Sequence, residues 1–254
     1  MISVLPIHFL PGNRWARIRE LCGRDELSVC GTRSVDAIQL LDRILLHSGD
    51  SDSIVSSSAL LPVSDRDRLI TAVFINTFGS RIESTVTCSV CNTAFDISLN
   101  LSEGVNELTN TIPTPVIINE SDYPFRVSDY SFRLPNGLDE MSVMGMESKR
   151  AEDEMMRRCL PDECHEYEAE VIQKTMEEIA PLADSEFEAK CPECSGTQLF
   201  HVNIQTFLLS SVINERDKLN AEIHLLTRYY GWNLTEILEL PRSMRLSFVS
   251  LAGS

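Results

Sequence analysis

Two Cys-x-x-Cys motifs, Cys88-Ser-Val-Cys91 and Cys191-Pro-Glu-Cys194, are the residues of this sequence whose type and spacing best suit chemistry. Each motif is predicted to form a tight turn between two strands, where thiolates and backbone amides converge on a tetrahedral cation. Together the motifs supply four sulfurs, which predicts one closed zinc site. Because a closed site leaves no position for water or substrate, we expect structural zinc that ties two parts of the chain together.

Two other interpretations of these cysteines stay open. The motifs are separated by 99 residues, a wider interval than zinc ribbons usually have, so they could be two unrelated reduced pairs. A thioredoxin-like redox role would need a cysteine pair at the N-terminus of a helix, where the helix dipole lowers the pKa of the thiol. Strands are predicted after both pairs, which disfavours redox catalysis.

The remaining cysteines and histidines form no pattern with a mechanism attached. Cys159, Cys164 and His165 surround Pro161 between helical stretches, and we interpret them as structural or incidental. The same interpretation holds for the isolated cysteines and histidines, which are Cys22, Cys30, His8, His47, His201 and His224. Phosphate-binding loops, dinucleotide fingerprints and nucleophile elbows are absent from the sequence, so we expect a protein that is not an enzyme.

The charge of the chain excludes several classes of partner. With 22 basic and 38 acidic residues, the formal charge is −16, which opposes binding to phosphate backbones and anionic lipid. A zinc-ribbon module that binds nucleic acid is therefore a less favoured alternative. The acidic residues are densest between positions 137 and 190, where 16 acidic and 6 basic residues predict a solvated helical face or an acidic docking surface for a basic partner. The chain contains no apolar run of about 20 residues and opens without a secretory signal, so we expect a cytoplasmic protein.

The first half of the chain is predicted to combine hairpins and helices. A hairpin should lead into a helix near residues 24–29, and Ser34 should cap a second helix whose face carries Ile38, Leu41 and Leu45. A Ser/Asp-rich loop follows at 48–58. Ser64-Asp65-Arg66-Asp67 resembles a capping box that opens a third helix, which Gly79 ends. Alternation then predicts a hairpin over 82–99 with the first cysteine motif in its turn.

The second half is predicted to repeat this plan. Helices are expected at about 147–160 and 163–180, and a hairpin then carries the second cysteine motif, which suggests an internal duplication. One helix over 206–230 should carry a stripe from Val212 to Tyr230, packed internally or on a partner. A short helix and a final helix after Pro241 follow, the last with an apolar face that includes Met244 and Phe248.

These elements predict an α+β fold, mainly helical, with two hairpin zinc knuckles joined in a ribbon-like four-cysteine site and a C-terminal helical extension. Four regions are expected. They are an N-terminal half at 1–101, a linker at 102–124, a C-terminal half at 125–205 and a helical segment at 206–254.

Several stretches, taken in order, resemble the T4-type baseplate hub assembly chaperones of phages and related contractile injection systems. They are LPG…RIREL…GRDEL at 10–27, RIESTVTCSVC at 81–91, FRLPNG at 132–137 and the tail from Glu222 to Arg242. The resemblance implies a non-enzymatic assembly factor that acts on baseplate hub or tape-measure proteins, with an integral baseplate component as the alternative. It implies residence in the cytoplasm of the host or producing cell, or retention in the finished tail. The residues that it carries over are Cys88, Cys91, Cys191 and Cys194, as the paired zinc knuckles.

Overall fold

The computed structural model describes residues 2–10, 14–46, 55–101, 122–161, 169–180 and 185–253. Its strands form four separate two-stranded antiparallel hairpins. These strands are β1 (Ile2–Ile7), β2 (Arg14–Arg19), β3 (Arg81–Thr87), β4 (Ala94–Asn100), β5 (Phe125–Val127), β6 (Tyr130–Phe132), β7 (Ser185–Lys190) and β8 (Thr197–Val202). The α-helices are α1 (Gly23–Ser28), α2 (Ser34–Ile44), α3 (Val63–Phe78), α4 (Gly137–Val143), α5 (Ser148–Cys159), α6 (Ala169–Ile179), α7 (Ile204–Asn214), α8 (Arg216–Tyr230), α9 (Leu234–Glu239) and α10 (Arg242–Ala252), and a short 3-10 helix spans Ser58–Leu60. The predicted mixture of helices and small antiparallel hairpins is confirmed.

The main core lies between the first hairpin and three helices. Alternation along β1 and β2 turns Ile7, Ala16 and Ile18 inward, while Val4 and Trp15 stay exposed on the other face. The inward residues pack with buried side chains of α2, α3 and α7. Residues from the first half and from the C-terminal segment therefore share one core.

The N-terminus of α3 differs from the prediction. The helix begins at Val63 with Pro62 as its N-cap, and no side chain caps it, so the predicted capping box at 64–67 is wrong. The Asp65 carboxylate instead accepts hydrogen bonds from the backbone N–H groups of His8 and Phe9, at 3.0 and 2.9 Å. The Asp65 side chain, which the local pattern placed in a helix cap, therefore binds a segment that is distant in sequence. The predicted helix end is confirmed, because Gly79 follows it with a φ of 90°.

The N-cap of α2 lies one residue earlier than predicted. Arg33 occupies it with an extended backbone, and Ser34 is already the first helical residue. The predicted apolar face is confirmed, since Ile38, Leu41 and Leu45 are all buried.

A second core forms around the hairpin β5–β6. Phe125 and Phe132 are paired across the hairpin and pack with Leu160 at the end of α5 and with Ile172 of α6. Phe9, which follows β1, belongs to the same cluster and so links it to the first hairpin.

The predicted single helix over 206–230 is wrong in one respect, because it is two helices that meet at Glu215. The backbone of Glu215 has φ −85° and ψ 4°, and its carboxylate is engaged by Lys218 and Arg242. The tertiary contact with Arg242 leaves no trace in the spacing of apolar residues. Val212, Leu219 and Leu226 are buried, so the described stripe packs internally.

The last helix shows the largest departure from the predicted pattern. Its buried residues are Arg242 and Arg245, whereas Met244 is half exposed. Phe248 of the predicted face is half-buried against the rings of Tyr230 and Trp232. The most buried positions of α10 are nevertheless cations, because acidic side chains of other helices lie opposite.

Some predictions stay predictions. The Ser/Asp-rich loop lies largely outside the described residues, as do most of the linker and Cys164 and His165. The four-region division and the internal duplication likewise remain hypotheses. In the described part of the chain, no helix has both the length and the apolar character needed to cross a membrane.

Candidate metal centre

The first cysteine motif occupies the turn of the hairpin β3–β4. The backbone N–H of Cys88 donates to the carbonyl of Thr93 at 2.9 Å, and the N–H of Asn92 donates to the carbonyl of Cys88 at 2.9 Å. Asn92 adopts a left-handed backbone with φ 56°, a conformation that asparagine tolerates better than most residues. The chain therefore turns tightly enough to present both cysteines on the same side.

The second motif, in the turn between β7 and β8, repeats this geometry. The N–H of Cys191 donates to the carbonyl of Gly196 at 2.9 Å, and the N–H of Ser195 donates to the carbonyl of Cys191 at 2.9 Å. Ser195 has φ 59°, so its backbone is left-handed like that of Asn92. Two distant pieces of sequence thus build the same knuckle.

The two knuckles meet, and all four sulfurs lie within 4.8 Å of one another. The Sγ atoms of Cys88 and Cys194 are 3.6 Å apart, and those of Cys91 and Cys191 are 3.7 Å apart. All four cysteines are free thiols, since these separations are far longer than a disulfide bond of about 2.05 Å. Each of these two close contacts therefore joins one hairpin to the other.

The arrangement fits a tetrahedral metal ion. Four thiolates at about 2.3 Å from zinc stand roughly 3.8 Å apart, which agrees with the 3.6 and 3.7 Å separations across the hairpins. Cys88 and Cys191 are buried, while Cys91 and Cys194 lie at the surface. Among the residues that the structure describes, this is the one group of three or more His, Cys, Asp or Glu side chains placed to share a metal ion.

The ionisation of the thiols shows the cost of crowding them. The Thr93 side chain and backbone lower the pKa of Cys91 to about 6. The Gly196 backbone N–H lowers the pKa of Cys194, but the surrounding sulfurs, that of Cys91 first, raise it to about 12. One thiolate forms easily and opposes the next, so a cation among the sulfurs would relieve the repulsion between them.

Contacts around the sulfurs hold the two knuckles in register. The Gln198 side-chain carbonyl accepts hydrogen bonds from the Ser89 backbone N–H at 2.8 Å and from its hydroxyl at 2.7 Å. The rings of Phe95 and Phe200 meet edge to face, with centroids 6.2 Å apart, beneath the sulfurs. The hairpins are therefore joined by apolar and polar contacts as well as by the four sulfurs.

A family model for the T4 bacteriophage base plate protein matches residues 7–182 of this chain. The chain belongs to this baseplate family. No curated protein and no solved structure gives a significant match.

The matched region includes only part of the four-cysteine cluster of this baseplate protein. It contains the first knuckle, with Cys88 and Cys91, and ends before the second knuckle begins. Helices α7 to α10 also lie beyond the matched residues. The structure therefore shows that the second cysteine pair, which lies outside the matched region, lies beside the first pair.

The other cysteines that the structure describes, Cys22, Cys30 and Cys159, take no part in the four-cysteine cluster. Burial raises the pKa of the Cys159 thiol to about 12, so it stays protonated, as expected of a structural cysteine. Cys22 is buried beside Asp25 with a raised pKa, again chiefly through burial, and Cys30 is exposed. These three cysteines therefore lie outside the four-cysteine cluster, and their interpretation as structural or incidental residues stays a prediction.

Sequence reasoning missed a buried ionic cluster, in which Arg242 and Arg245 from α10 meet Glu26 from α1. Arg245 donates to both carboxylate oxygens of Glu26 at 2.9 Å and to Glu222 of α8 at 2.8 Å. The cluster has no motif of its own. The sequence does contain one signal that could have revealed the cluster. Arg66 and Arg245 each lie four residues after the proline of a Leu-Pro pair.

Proposed function

We propose that this protein is a non-enzymatic, zinc-stapled assembly factor, or chaperone, for the baseplate hub of a contractile phage tail or related injection system. Its expected partners are hub or tape-measure proteins. The observation that supports this proposal best is the meeting of two distant hairpins at four cysteine sulfurs, within a chain of the baseplate family.

Cys88, Cys91, Cys191 and Cys194 would hold the zinc. Four thiolates complete a tetrahedral shell, so the ion would supply a crosslink between the two hairpins rather than reaction chemistry. Structural zinc sites in small peptides contribute about 10–16 kcal/mol, comparable to the net stability of a domain. A zinc ion here would make the relative placement of residues near 90 and near 193 depend on the metal.

The described surface is suited to binding partners rather than to catalysis. Helices α5 and α6 expose acidic side chains, among them Glu152, Asp153, Glu177 and Glu178. These residues support the proposed acidic face for a basic partner. The acidic character of the protein also opposes binding to nucleic acid, which would show itself by salt-sensitive gel shifts.

A second candidate function is that of an integral baseplate component. The family description favours it, since it names a base plate protein without stating when that protein acts. Quantitative mass spectrometry of purified particles distinguishes the two. An assembly factor is expected to be absent or far below the copy number of the hub proteins, whereas stoichiometric recovery would refute the transient role.

Native mass spectrometry of the protein purified without chelator tests the staple. We expect one zinc per chain. Two ions per chain would indicate separate or intermolecular sites. A metal-free protein would contradict the proposed zinc crosslink between the two hairpins. Thiol–disulfide exchange activity at full zinc occupancy would instead favour the redox alternative.

A further inference from the structure

A second residue pattern, remote from the metal centre, occurs twice in the structure. In each copy an arginine lies at the end of a hairpin or directly after it, and a glycine, an aspartate, a glutamate and a serine come four, six, seven and nine residues later. The copies are Arg19, Gly23, Asp25, Glu26 and Ser28, and Arg133, Gly137, Asp139, Glu140 and Ser142. We name these stretches the first and the second Gly-x-Asp-Glu unit.

Within each unit the same hydrogen bonds form. The arginine binds the aspartate with two parallel bonds, of 2.6 and 3.0 Å between Arg19 and Asp25 and of 2.6 and 2.9 Å between Arg133 and Asp139. The aspartate also accepts from the backbone N–H of the residue before the glycine, at 2.9 and 3.0 Å. The serine hydroxyl donates to the aspartate carbonyl at 2.7 Å in both units. The two units are therefore built alike.

Each unit contacts the start of a helix, and in both cases the contacting segment has the sequence Leu-Pro-x-Ser-x-Arg. The first unit receives residues 240–245 at the start of α10, and the second receives residues 61–66 at the start of α3. Both prolines are N-caps with nearly equal dihedral angles, φ −52° and ψ 141° at Pro241, and φ −50° and ψ 143° at Pro62. The segments that enter the two units are thus alike in sequence and in backbone conformation.

The backbone contacts between helix and unit also match. Cys22 pairs with Pro241 in an isolated antiparallel bridge, and Asn136 pairs with Pro62 in the same way. The N–H of the residue after each proline donates to the carbonyl two residues before the unit's glycine, at 2.8 Å in the first unit and 3.1 Å in the second. Proline has no N–H of its own, so this donor is the first that the helix can offer.

The arginine of each helix is buried against the glutamate of its unit. Arg245 is fully buried and binds Glu26, and Arg66 is 1% exposed and donates to Glu140 at 2.6 Å. In the first unit the arginine contributes specificity, because a wrong residue would leave the buried Glu26 carboxylate unpaired.

The glycine of each unit allows the close approach of the helix segment. A Cβ atom on Gly23 would lie 3.3 Å from the Cα of Leu238, and one on Gly137 would lie 3.1 Å from the Cα of Ala59. Leu238 and Ala59 are each the third residue before the proline. Glycine is therefore required at the same contact in both units.

The two bound helices differ in what else holds them. Helix α3 is anchored in the main core by buried apolar residues, among them Leu69, Ile70, Val73 and Phe74. The fully buried residues of α10 are its two arginines, while Met244 is 50% exposed. Further along the helix, Phe248 is half-buried against the rings of Tyr230 and Trp232, at and just after the end of α8. The start of α10 is therefore held to α1 chiefly by polar contacts, which another chain with the same sequence pattern could provide.

We propose that the first Gly-x-Asp-Glu unit is a recognition site for helices that begin Leu-Pro-x-Ser-x-Arg, and that a partner protein carrying such a helix binds it in place of α10. The second unit shows that the recognition does not depend on one particular helix. Because α3 is anchored in the main core, it stays bound to the second unit, which is then not available to a partner. This proposal goes beyond the zinc-stapled assembly role and depends on different residues.

The chain's own helix competes with any partner. A segment tethered by a short linker is present at a millimolar effective concentration, so a free peptide should bind the wild-type protein only weakly. Replacing Arg245 by Met in the full-length protein weakens the tethered helix without removing the unit. The peptide should then bind more tightly, which is a response that a binding site elsewhere on the surface would not show.

The experiment measures fluorescence anisotropy of a labelled peptide with the sequence of residues 238–252, titrated with full-length protein. We expect the Arg245→Met protein to bind it at least tenfold more tightly than wild type. A peptide with Met in place of its second arginine should lose at least tenfold in affinity for the same protein. Adding Glu26→Gln to Arg245→Met should weaken binding similarly, whereas adding Glu152→Gln, at an exposed position on α5, should leave it unchanged.

Hydrogen exchange of the wild-type protein supplies a second measurement that needs no protein variant. The unaltered peptide should increase exchange of the α10 amides, and the Met peptide should not. Equal binding of the two peptides, equal affinity of wild type and Arg245→Met, or no binding to any protein at about 1 mM would each overturn the proposal.

Discussion

Burial of the Asp65 carboxylate predicts an unusual dependence of stability on pH. Asp65 lies on α3 beneath the start of the chain, and burial raises its pKa to about 6 despite the hydrogen bonds from the His8 and Phe9 backbone and the nearby Arg68 cation. In the unfolded chain the same group titrates near 3.8. The folded protein therefore takes up a proton between about pH 6 and pH 4 that the unfolded chain does not.

The sign and size of the effect follow from linkage. Where the folded state binds more protons, the free energy of unfolding falls as pH rises, so this carboxyl stabilises the fold progressively as pH drops from 7 to 4. A difference of about 2 pKa units corresponds to about 3 kcal/mol in total, and to a slope of at most about 1.4 kcal/mol per pH unit.

Urea denaturation of wild type and Asp65→Asn at pH 7, 6 and 5 measures this contribution. The decisive quantity is how the difference in unfolding free energy between the two proteins changes with pH, since asparagine also loses one backbone hydrogen bond at every pH. The zinc contribution cancels, because both proteins keep all four cysteines. We expect wild type to gain about 1–2 kcal/mol relative to Asp65→Asn between pH 7 and pH 5. A constant difference, or a relative loss for wild type, would refute the reasoning.

Three further predictions concern the metal centre and the second Gly-x-Asp-Glu unit. Cys191→Ser should release the metal and lower the melting temperature, while Cys30→Ser, at an exposed position outside the cluster, should change neither. If Cys191→Ser retains both the metal and the melting temperature, the shared site is contradicted. Glu140→Gln should cost more stability in urea denaturation than Arg66→Met. The first change leaves the buried Arg66 cation unpaired, a loss of roughly 3–5 kcal/mol, whereas the second leaves Glu140, which is 24% exposed and can be hydrated. The reverse order would show that Arg66 tolerates the loss of its partner. Gly137→Ala should cost about 1–3 kcal/mol in the same assay, since the added methyl would lie 3.1 Å from the Cα of Ala59, and an unchanged midpoint would mean that the backbone yields there.

Local patterns were sufficient for the elements that carry the cysteines. Alternation around 82–99 predicted the hairpin β3–β4, and the Cys-x-x-Cys spacing predicted the turn in which Cys88 and Cys91 lie. The end of α3 at Gly79 was equally local, because a positive φ there favours glycine whatever surrounds it. Such features depend on residues a few positions apart, so the sequence alone was enough.

The partners of these elements were decided by the tertiary structure. The shared chemistry of the two motifs predicted that they form one site, but no local pattern between positions 92 and 190 gives the packing that brings the sulfurs of Cys88 and Cys194 to 3.6 Å. The meeting depends on how the hairpins pack through Phe95 and Phe200, which are more than 100 residues apart in sequence.

The C-terminal helices show the same limit most clearly. Apolar spacing correctly predicted that Val212, Leu219 and Leu226 are buried, but it missed the break at Glu215 and the two buried arginines of α10. Periodicity ranks arginine as a surface residue, because burying an unpaired cation is costly. Arg245 is buried because carboxylates from two other helices reach it, and only the folded chain brings those three helices together.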